Sequence, residues 1–399
     1  MSINSLAERL FIKGRSVTLR ALNAVLPKNN KRMVFCSLPD YADNAKGMWE
    51  YVKGLSEYET VWLIRDKNLV SKLQKDGLPC YYEYSWKGIK WLLTAKYIFC
   101  THSQFIDIKA SNQLFINLWH GMPLKAMGYL DHSCSEKDLE AFNRVSRKSD
   151  MLAVTSSLMK YVMVSCFNID PRKVFITGQP RNDQLFRPVD ISILKKVLGE
   201  SYSRYSKFIL YCPTFRMGMG RVEGKKFSGN AFNFEDYDKQ KLDTLLKSQN
   251  ALLVIKLHPF EEKQHKDTDL NLPENAIVVR SEVFNCNSIS LYDILALFDV
   301  LVTDYSSIYF DYLLLNKPIV FTASDLKEYK SGRGLVFDDY DFWAPGPKAV
   351  NFNEFIPCLE KSIKDQDYYR QERATINSLV NTCSDGGSAK RVMDTLKGL

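Results

Sequence analysis

The chain has 399 residues, 45% of them hydrophobic, and this length predicts two or three domains. Lysine and arginine number 54 against 46 aspartates and glutamates, so the formal charge of +8 is only mildly basic. Such a balance suits an anionic membrane face or a phosphorylated substrate. It falls short of the dense basic surface of a nucleic-acid-binding protein, and we expect no nucleic-acid partner.

The cysteine pattern indicates a reduced protein. None of the nine cysteines forms a C-x-x-C pair, and Cys36, Cys100 and Cys212 lie inside apolar runs. We interpret them as core residues of a cytosolic protein rather than as a disulfide or zinc framework. The N-terminus lacks the apolar stretch of a signal peptide, and no run of 18 apolar residues could span a bilayer.

Residues 1–32 form a basic segment, with seven lysines and arginines against the single acid Glu8. Apolar residues recur in it at helical spacing: Ile3, Leu6, Leu10, Phe11, Leu19, Leu22 and Leu26. This pattern indicates a basic amphipathic helix, which can lie in the interface of an anionic membrane leaflet. An ordinary surface helix packed on a domain explains the same pattern.

Short apolar runs alternate with longer helical patterns through the rest of the chain. The predicted strands are Met33–Leu38, Val61–Arg65, Tyr97–His102, Leu114–His120, Met151–Thr155, Val174–Gly178, Phe208–Phe215, Leu252–His258, Ala276–Arg280, Val300–Thr303 and Pro318–Thr322. Because these runs are apolar throughout rather than alternating, they predict parallel strands covered by helices on both faces. The fold class is therefore α/β, with doubly wound sheets.

The strand series divides near residues 185–206. We predict one Rossmann-like domain over 33–200 and a second over 201–399, with the last helix crossing back to the first domain. Ligands of such sheets bind beyond the carboxyl ends of the strands. The polar residues that follow predicted strands are His102, His120, Gly178, Thr214, His258 and Asp304.

The tract from Val300 to Asp311 reads as a buried strand, a polar break and a helix start. Ser306 and Ser307 fall where backbone N–H groups lack partners within the helix, which favours an anion such as phosphate. Helix capping alone would also explain the two serines. Asp304 and Asp311 are binding candidates, and Asp311, on the same helix, could face the ligand's hydroxyls or bind a structural Arg or Lys.

Two histidines are candidates for chemistry. His120 ends a predicted strand and precedes Gly121 and Pro123, so a tight turn would hold its imidazole at a strand end, where it could accept a proton from a hydroxyl. Lys256 and His258 alternate onto one side of another predicted strand, where both could donate to phosphate oxygens. A histidine satisfied beneath a loop is the competing interpretation of His258.

A third motif, Pro213-Thr214-Phe215-Arg216, brings a hydroxyl and a guanidinium to a strand end. Arg216 could clamp a phosphate through two hydrogen bonds, or form an interdomain salt bridge. The glycine-rich loop over 216–230 could close over an acidic ligand or be a plain surface insertion. No nucleotide-loop, hydrolase-elbow, zincin or kinase motif is present, and D-x-D spacings occur only in polar loop contexts, so we predict no metal and no cofactor.

Taken in order, these motifs resemble the CDP-glycerol glycerophosphotransferase family, the teichoic-acid and capsule polyol-phosphate transferases. The set comprises W-H-G-x-P-x-K (119–125), G-x-P-R-x-D (178–183), P-T-x-R (213–216), K-x-H-P (256–259) and T-D-Y-S-S-x-x-F-D (303–311). Arg333-Gly334 and the D-G-G-S-x-x-R run over 385–391 agree as well. The resemblance begins near residue 95 and runs to the end of the chain.

The resemblance implies a GT-B-like fold, in which two Rossmann-like domains face each other across a cleft that holds the active site. It implies that His120 is the general base, that His258 contacts the donor diphosphate, and that Ser306 and Ser307 lie at a phosphate-binding helix start. Further substrate-binding candidates from the motifs are Lys125, Arg181, Thr214, Arg216, Lys256, Thr303, Asp304, Asp311 and Arg333.

The implied reaction transfers glycerol phosphate, or a related polyol phosphate, from its CDP derivative to a hydroxyl of a lipid-linked saccharide or polyol-phosphate acceptor. The implied location is cytoplasmic and peripheral, on the inner face of the membrane. An NDP-sugar glycosyltransferase on the same fold and a non-catalytic membrane scaffold are the alternatives. The sequence leaves the polyol, the acceptor and the number of units added open.

Overall fold

The computed structural model describes residues 17–214, 217–218, 221–222, 229–262, 270–332 and 334–399. The chain forms two compact units. The first comprises the residues up to His120, Glu136–Asp183 and Asp385–Leu399, and the second comprises Gly121–Ser135 and Gln184–Ser384.

The elements are numbered along the chain. The strands are β1 (Asn29–Cys36), β2 (Glu59–Ile64), β3 (Cys80–Tyr82), β4 (Ala95–Cys100), β5 (Leu114–Asn117), β6 (Met151–Val154), β7 (Val174–Ile176), β8 (Lys207–Tyr211), β9 (Met217–Gly218), β10 (Arg221–Val222), β11 (Ala251–Ile255), β12 (Ala276–Val278), β13 (Val300–Thr303), β14 (Ile319–Thr322) and β15 (Lys348–Ala349).

The α-helices are α1 (17–25 among the described residues), α2 (Asp43–Val52), α3 (Lys67–Lys75), α4 (Trp86–Thr94), α5 (Glu136–Lys148), α6 (Ser157–Phe167), α7 (Ile193–Leu198), α8 (Lys239–Ser248), α9 (Pro259–Glu262), α10 (Ser281–Asn287), α11 (Ile308–Tyr312), α12 (Leu326–Gly332), α13 (Tyr340–Trp343), α14 (Phe352–Lys364), α15 (Arg370–Val380) and α16 (Ser388–Leu396). Short 3-10 helices join several of them.

The first unit is built on a seven-stranded parallel sheet in the order β3-β2-β1-β4-β5-β6-β7. Its central strands are buried on both faces, so helices must cover both sides. The strand order reverses between β1 and β4, which makes their carboxyl ends the usual ligand position of such a sheet. Residues just beyond β4 and its neighbour β5 are therefore placed for function.

The second unit repeats this arrangement. Its six-stranded parallel sheet has the order β12-β11-β8-β13-β14-β15, and the reversal lies between β8 and β13. Strands such as β11, Ala-Leu-Leu-Val-Ile, are buried at every position, because both faces are covered. The predicted α/β class with two doubly wound parallel sheets is confirmed.

Every predicted strand is present, but several end earlier than the sequence suggested. β5 stops at Asn117, β8 at Tyr211 and β11 at Ile255. The chain turns away at these ends, since Trp119 and Gly121 have φ of 57° and 141° and Pro213 lacks an N–H. The motif residues therefore lie in loops beyond the strands. The short strands β3, β9, β10 and β15 were not predicted.

The boundary between the units also differs from the predicted one at 200/201, and lies between Asp183 and Gln184. Residues 184–200 belong with the second unit because α7 packs on α10, and Asn287 donates to the Lys196 carbonyl. Residues 121–135 join it too. Their backbone pairs with 334–336, through Ala126 N to Gly334 O at 3.0 Å and Val336 N to Leu124 O at 2.8 Å.

The last helix, α16, packs in the core of the first unit. Ala389, Val392, Met393 and Leu396 join a cluster that includes residues of α2 and β1. Its N-terminus is fixed by the buried carboxylate of Asp183, which accepts from the N–H groups of Ser388 and Ala389 at 2.8 and 2.9 Å. Asp183 thereby stabilises the positive end of the helix.

The basic N-terminal segment is only partly described, and Arg9, Lys13 and Arg15 lie outside the described residues. Over 17–25 the segment is helical as predicted. Arg20 donates to the Asp107 carbonyl, while Val17, Leu22 and Val25 remain exposed. Within the described ranges, no helix has the length and apolar character needed to cross a membrane.

The contact of α2 with the loop after β7 gives a stability prediction. A Cβ at Gly47 would lie 2.5 Å from the carbonyl carbon and oxygen of Pro180, which are backbone atoms. We expect Gly47→Ala to lower the free energy of unfolding by about 1–3 kcal/mol, although alanine favours helices. Thermal unfolding measures this. Gly54→Ala, whose Cβ would meet its nearest atom at 3.5 Å, is the control. Equal stability of the two variants would contradict the packing.

Candidate active site

His120 lies in a tight turn beyond β5, next to the end of β4. The Leu118 N–H donates to the Cys100 carbonyl at 2.8 Å, and the Trp119 N–H donates to the Asn117 side chain at 3.0 Å. Trp119 takes a left-handed backbone conformation with φ of 57°, which is unusual for a bulky residue. The turn is thus held in a conformation that its own sequence would not favour.

Arg181 and Asn44 hold this turn through hydrogen bonds to its backbone carbonyls. Arg181 Nη1 donates to the His120 carbonyl at 2.9 Å and to the Asp43 carboxylate at 2.7 Å. The Asn44 amide donates to the carbonyls of Leu118 and Trp119 and accepts from the Arg181 N–H. Since Arg181 and Asn44 are buried, these bonds replace the water that the groups would otherwise bind. Arg181 was predicted to bind substrate. In the structure its guanidinium group and its N–H bind groups of the protein itself.

The hydrogen bond of His120 determines which ring nitrogen is basic. Its Nδ1 lies 3.2 Å from the Thr101 carbonyl, which can only accept, so Nδ1 carries the proton. In the neutral ring, Nε2 then presents a lone pair. Burial lowers the pKa of His120, and Arg181 lowers it further, against Asp43 and the Thr101 hydrogen bond, which raise it. The neutral, proton-accepting form is therefore favoured at neutral pH.

A second imidazole lies against His120. The His102 and His120 ring centroids are 4.1 Å apart, and the planes differ by only 4°. His102 Nδ1 lies 2.9 Å from the Thr101 hydroxyl. Burial, followed by the charge that His120 can carry, lowers the pKa of His102 to about 4, so His102 is also neutral at neutral pH.

In the second unit, Lys256 and His258 lie in the loop between β11 and α9, not on one side of a strand as predicted. The His258 carbonyl accepts from the N–H groups of Glu261 and Glu262 and so starts α9. Lys256 Nζ forms an ion pair with Glu262 at 2.5 Å and also donates to the Ser281 hydroxyl and the Leu257 carbonyl. This ammonium group ties the loop to the start of α10.

His258 is surrounded by positive charge. Burial is the largest cause that lowers its pKa, to about 4, and Lys125 and Lys256 lower it further, while Glu262 opposes them. Lys125 belongs to the same unit, where its backbone pairs with Leu335 and its ammonium lies 5.8 Å from the Tyr329 ring centre. Two residues of different motifs, Lys125 and His258, are thus brought together, and an anion would be attracted to them.

Asp304 connects the two loops at the strand reversal of the second unit. Its Oδ1 accepts from the N–H groups of Thr214 at 2.8 Å and Tyr305 at 2.6 Å. The Thr303 hydroxyl donates to the Cys212 carbonyl across the same gap. Asp304 and Thr303 therefore fix loop geometry. The Thr214 hydroxyl is buried and has no hydrogen-bond partner within the described part of the chain.

Ser306 and Ser307 precede α11 as predicted, and both are half-buried. The Ser307 side chain makes no cap hydrogen bond, so capping does not explain it. Asp311 lies on α11, is buried, and accepts from the Tyr292 hydroxyl at 2.7 Å. Two predicted binding residues, Arg216 and Arg333, lie outside the described residues, as does most of the glycine-rich loop.

The sequence analysis noted His102 at a strand end without giving it a role, and it missed Asp43, Asn44 and Glu262. Asp43 and Asn44 follow β1 by seven and eight residues, so their only signal was an Asp-Asn pair at the start of a helix. Among the described residues, no group of three or more His, Cys, Asp or Glu is arranged to hold a metal ion.

Comparisons with known proteins agree with the motifs. The profile of the CDP-glycerol:poly(glycerophosphate) glycerophosphotransferase family matches residues 18–398. A teichoic acid poly(glycerol phosphate) polymerase of Bacillus spizizenii W23 is 26% identical, with 98% of this chain and 99% of the relative covered. A teichoic acid ribitol-phosphate primase of the same organism is also 26% identical, with 94% and 93% covered.

A solved structure of a variant of the wall teichoic acid polymerase TagF shares the fold. The TM-score is 0.76 at 21% identity, and the match covers 100% of this chain and 98% of that chain.

The Asn44 network gives a prediction for the site. Asn44→Ala would leave the carbonyls of Leu118 and Trp119 and the Arg181 N–H without their partner. We expect it to lower the free energy of unfolding by about 1–3 kcal/mol. Urea unfolding measures the effect, and Asn68→Ala on exposed α3 is the matched control, expected within about 0.5 kcal/mol of the original. An Asn44→Ala variant as stable as the control would show that the amide does not hold the turn.

Proposed function

Because the chain belongs to the CDP-glycerol:poly(glycerophosphate) glycerophosphotransferase family, we propose that it transfers glycerol phosphate, or a related polyol phosphate, from the CDP derivative to a hydroxyl acceptor. The observation that carries the proposal is the His120 tautomer. The Thr101 carbonyl accepts a hydrogen bond from the Nδ1–H group, so Nε2 is left as a base in a buried, neutral ring.

In this reaction the acceptor oxygen attacks the β-phosphorus of the donor. A new O–P bond forms, the bond from the β-phosphorus to the bridging oxygen breaks, and CMP leaves with that oxygen. Nε2 of His120 takes the acceptor proton, which makes the oxygen a stronger nucleophile. The Arg181 and Asp43 side chains compensate each other's charge and hold the turn while His120 is protonated.

The second unit would bind the donor diphosphate. His258 and Lys125 supply hydrogen-bond donors in a positive field, and the N–H groups before α11 and the hydroxyls of Ser306 and Ser307 would add fixed dipoles. Lys256 contributes through its charge and by holding the loop, since Glu262 already binds its ammonium. Fixed donors of this kind neutralise the charge that builds on the leaving group.

We further propose that the acceptor is a lipid-linked saccharide or polyol phosphate, in teichoic-acid-like or capsular polymer synthesis, and that the protein works at the inner face of the membrane. The exposed Val17, Leu22 and Val25 of α1 and the basic residues that precede them support membrane contact. The relatives in the comparison include a glycerol-phosphate polymerase and a ribitol-phosphate primase, so both polyols are candidate donor groups.

Loss of the base should remove turnover and spare binding. We expect His120→Ala to lower kcat by about 10²–10⁴-fold, because proton abstraction then depends on water. Calorimetry should show an affinity for CDP-glycerol within about twofold of the original, since the base does not contact the donor's nucleotide. The exposed His132→Ala is the control. Turnover by His120→Ala within a few-fold of the original protein would disprove the assignment.

Loss of the His258 side chain should weaken binding of the donor. We expect His258→Ala to weaken CDP-glycerol binding by about tenfold or more, the usual effect of removing a hydrogen bond to a charged group. Calorimetry measures this, again with His132→Ala as the control. Unchanged affinity in His258→Ala would disprove its role.

CMP or CDP should raise the melting temperature of the original protein more than UDP or GDP does, because a ligand stabilises the state that binds it. A rise in melting temperature with UDP or GDP alone would instead favour a nucleotide-sugar glycosyltransferase.

A further inference from the structure

The two stacked imidazoles beyond β4 and β5 have a relation that the reaction scheme above does not use. The strands are parallel neighbours, with Cys100 opposite Asn117, so the loops that follow them leave the sheet side by side. This register brings His102 and His120 together from different strand ends. Their rings are parallel to within 4° and 4.1 Å apart.

Thr101 holds both rings. Its carbonyl accepts from His120 Nδ1, and its hydroxyl lies 2.9 Å from His102 Nδ1. The same hydroxyl accepts from the Leu38 N–H at 3.3 Å, and Thr101 itself is completely buried. One anchored residue thus fixes the in-plane direction of each imidazole.

A hydrogen bond at Nδ1 alone leaves a histidine ring free to rock about its Cβ–Cγ bond. Trp119 also stacks on the His120 ring, with the centroids 4.4 Å apart, but its plane is tilted by 30°. The parallel His102 ring at 4.1 Å restricts the rotation further, since rocking would drive the His120 ring into it. A general base depends on such restriction, because its lone pair must point at the hydroxyl and small displacements cost rate.

We propose that His102 is a positioning residue for the polyol-phosphate transfer, and that its ring, anchored by Thr101, keeps the His120 imidazole in the orientation that presents Nε2 to the acceptor hydroxyl. This inference rests on the proposed function, in which His120 is the base. His102 acts through His120 and touches neither the substrate nor the reacting atoms.

The electrostatics agree with this role. Two imidazolium ions 4.1 Å apart would repel each other, so a neutral neighbour favours proton uptake by the base, and His102, with its lowered pKa, is neutral. The other charged groups that act on the pair are Asp43 at the start of α2, Arg181 after β7 and Arg65 after β2. None of them is changed by a substitution at His102.

Two variants at one position test the proposal. His102→Phe keeps a flat ring and the burial of His120 but cannot titrate, whereas His102→Ala removes the ring and admits water. For His102→Ala we expect kcat to fall by about 10- to 100-fold, with the KM for CDP-glycerol within about twofold of the original. For His102→Phe we expect kcat within about threefold of the original, a rescue that only the ring shape explains.

The pH dependence supplies a second readout. Burial is the main cause that lowers the pKa of His120, so exposure should return that pKa toward its ordinary range. We therefore expect the acid limb of the kcat profile to move to higher pH in His102→Ala and to stay in place in His102→Phe. The proposal would be overturned if His102→Ala changed neither kcat nor the pH of the acid limb. It would also be overturned if kcat fell as much in His102→Phe as in His102→Ala.

Histidine-labelled NMR makes the test independent of turnover. The chain has five histidines, so the His120 resonance can be assigned with single substitutions. Its titration should move to higher pH in folded His102→Ala and remain unshifted in His102→Phe, and an unshifted titration in His102→Ala would overturn the inference. If the original protein shows the expected titrations but releases no CMP, the proposed function fails and the coupling of the two rings stands.

Discussion

The largely buried ion pair between Arg181 and Asp43 is the interaction on which the turn at His120 depends. Arg181 joins the start of α2 to the turn after β5, and Asn44 bonds that turn and the Arg181 backbone. Removing one partner of such a pair leaves an uncompensated buried charge, which costs several kcal/mol. The turn at His120 is therefore held as a unit with the first turn of α2, and a strained backbone at Trp119 can persist.

In the second unit, too, charged side chains hold the loops beyond the strand ends in place. Its sheet also reverses strand order, and the carboxylate of Asp304 joins the two loops that flank the reversal. Lys256 and Glu262 then attach the neighbouring loop after β11 to α10. In each unit, buried charged side chains fix the loops. Lys125 and Lys256 give the second unit its positive field at His258.

Sequence reasoning captured the features that follow from local pattern. Apolar runs predict the strands, and the polar residues just beyond them, such as His120 and His258, were identified because parallel strands present their carboxyl ends together. What it missed depends on tertiary partners. Nothing local shows that Lys256 meets Ser281, that Asn44 reaches the carbonyl of Leu118, or that residues 184–200 pack on the second unit. Propensity cannot encode partners that are distant in the chain.

The most direct test of the account is the stoichiometry of transfer. The purified chain would be incubated with CDP-glycerol or CDP-ribitol and a lipid-linked acceptor in anionic vesicles, and CMP and acceptor-bound phosphorus would be quantified together. The account predicts one CMP for each polyol phosphate added, with both products lost in His120→Ala. Consumption of a nucleotide sugar with no CMP from either CDP-polyol would contradict it.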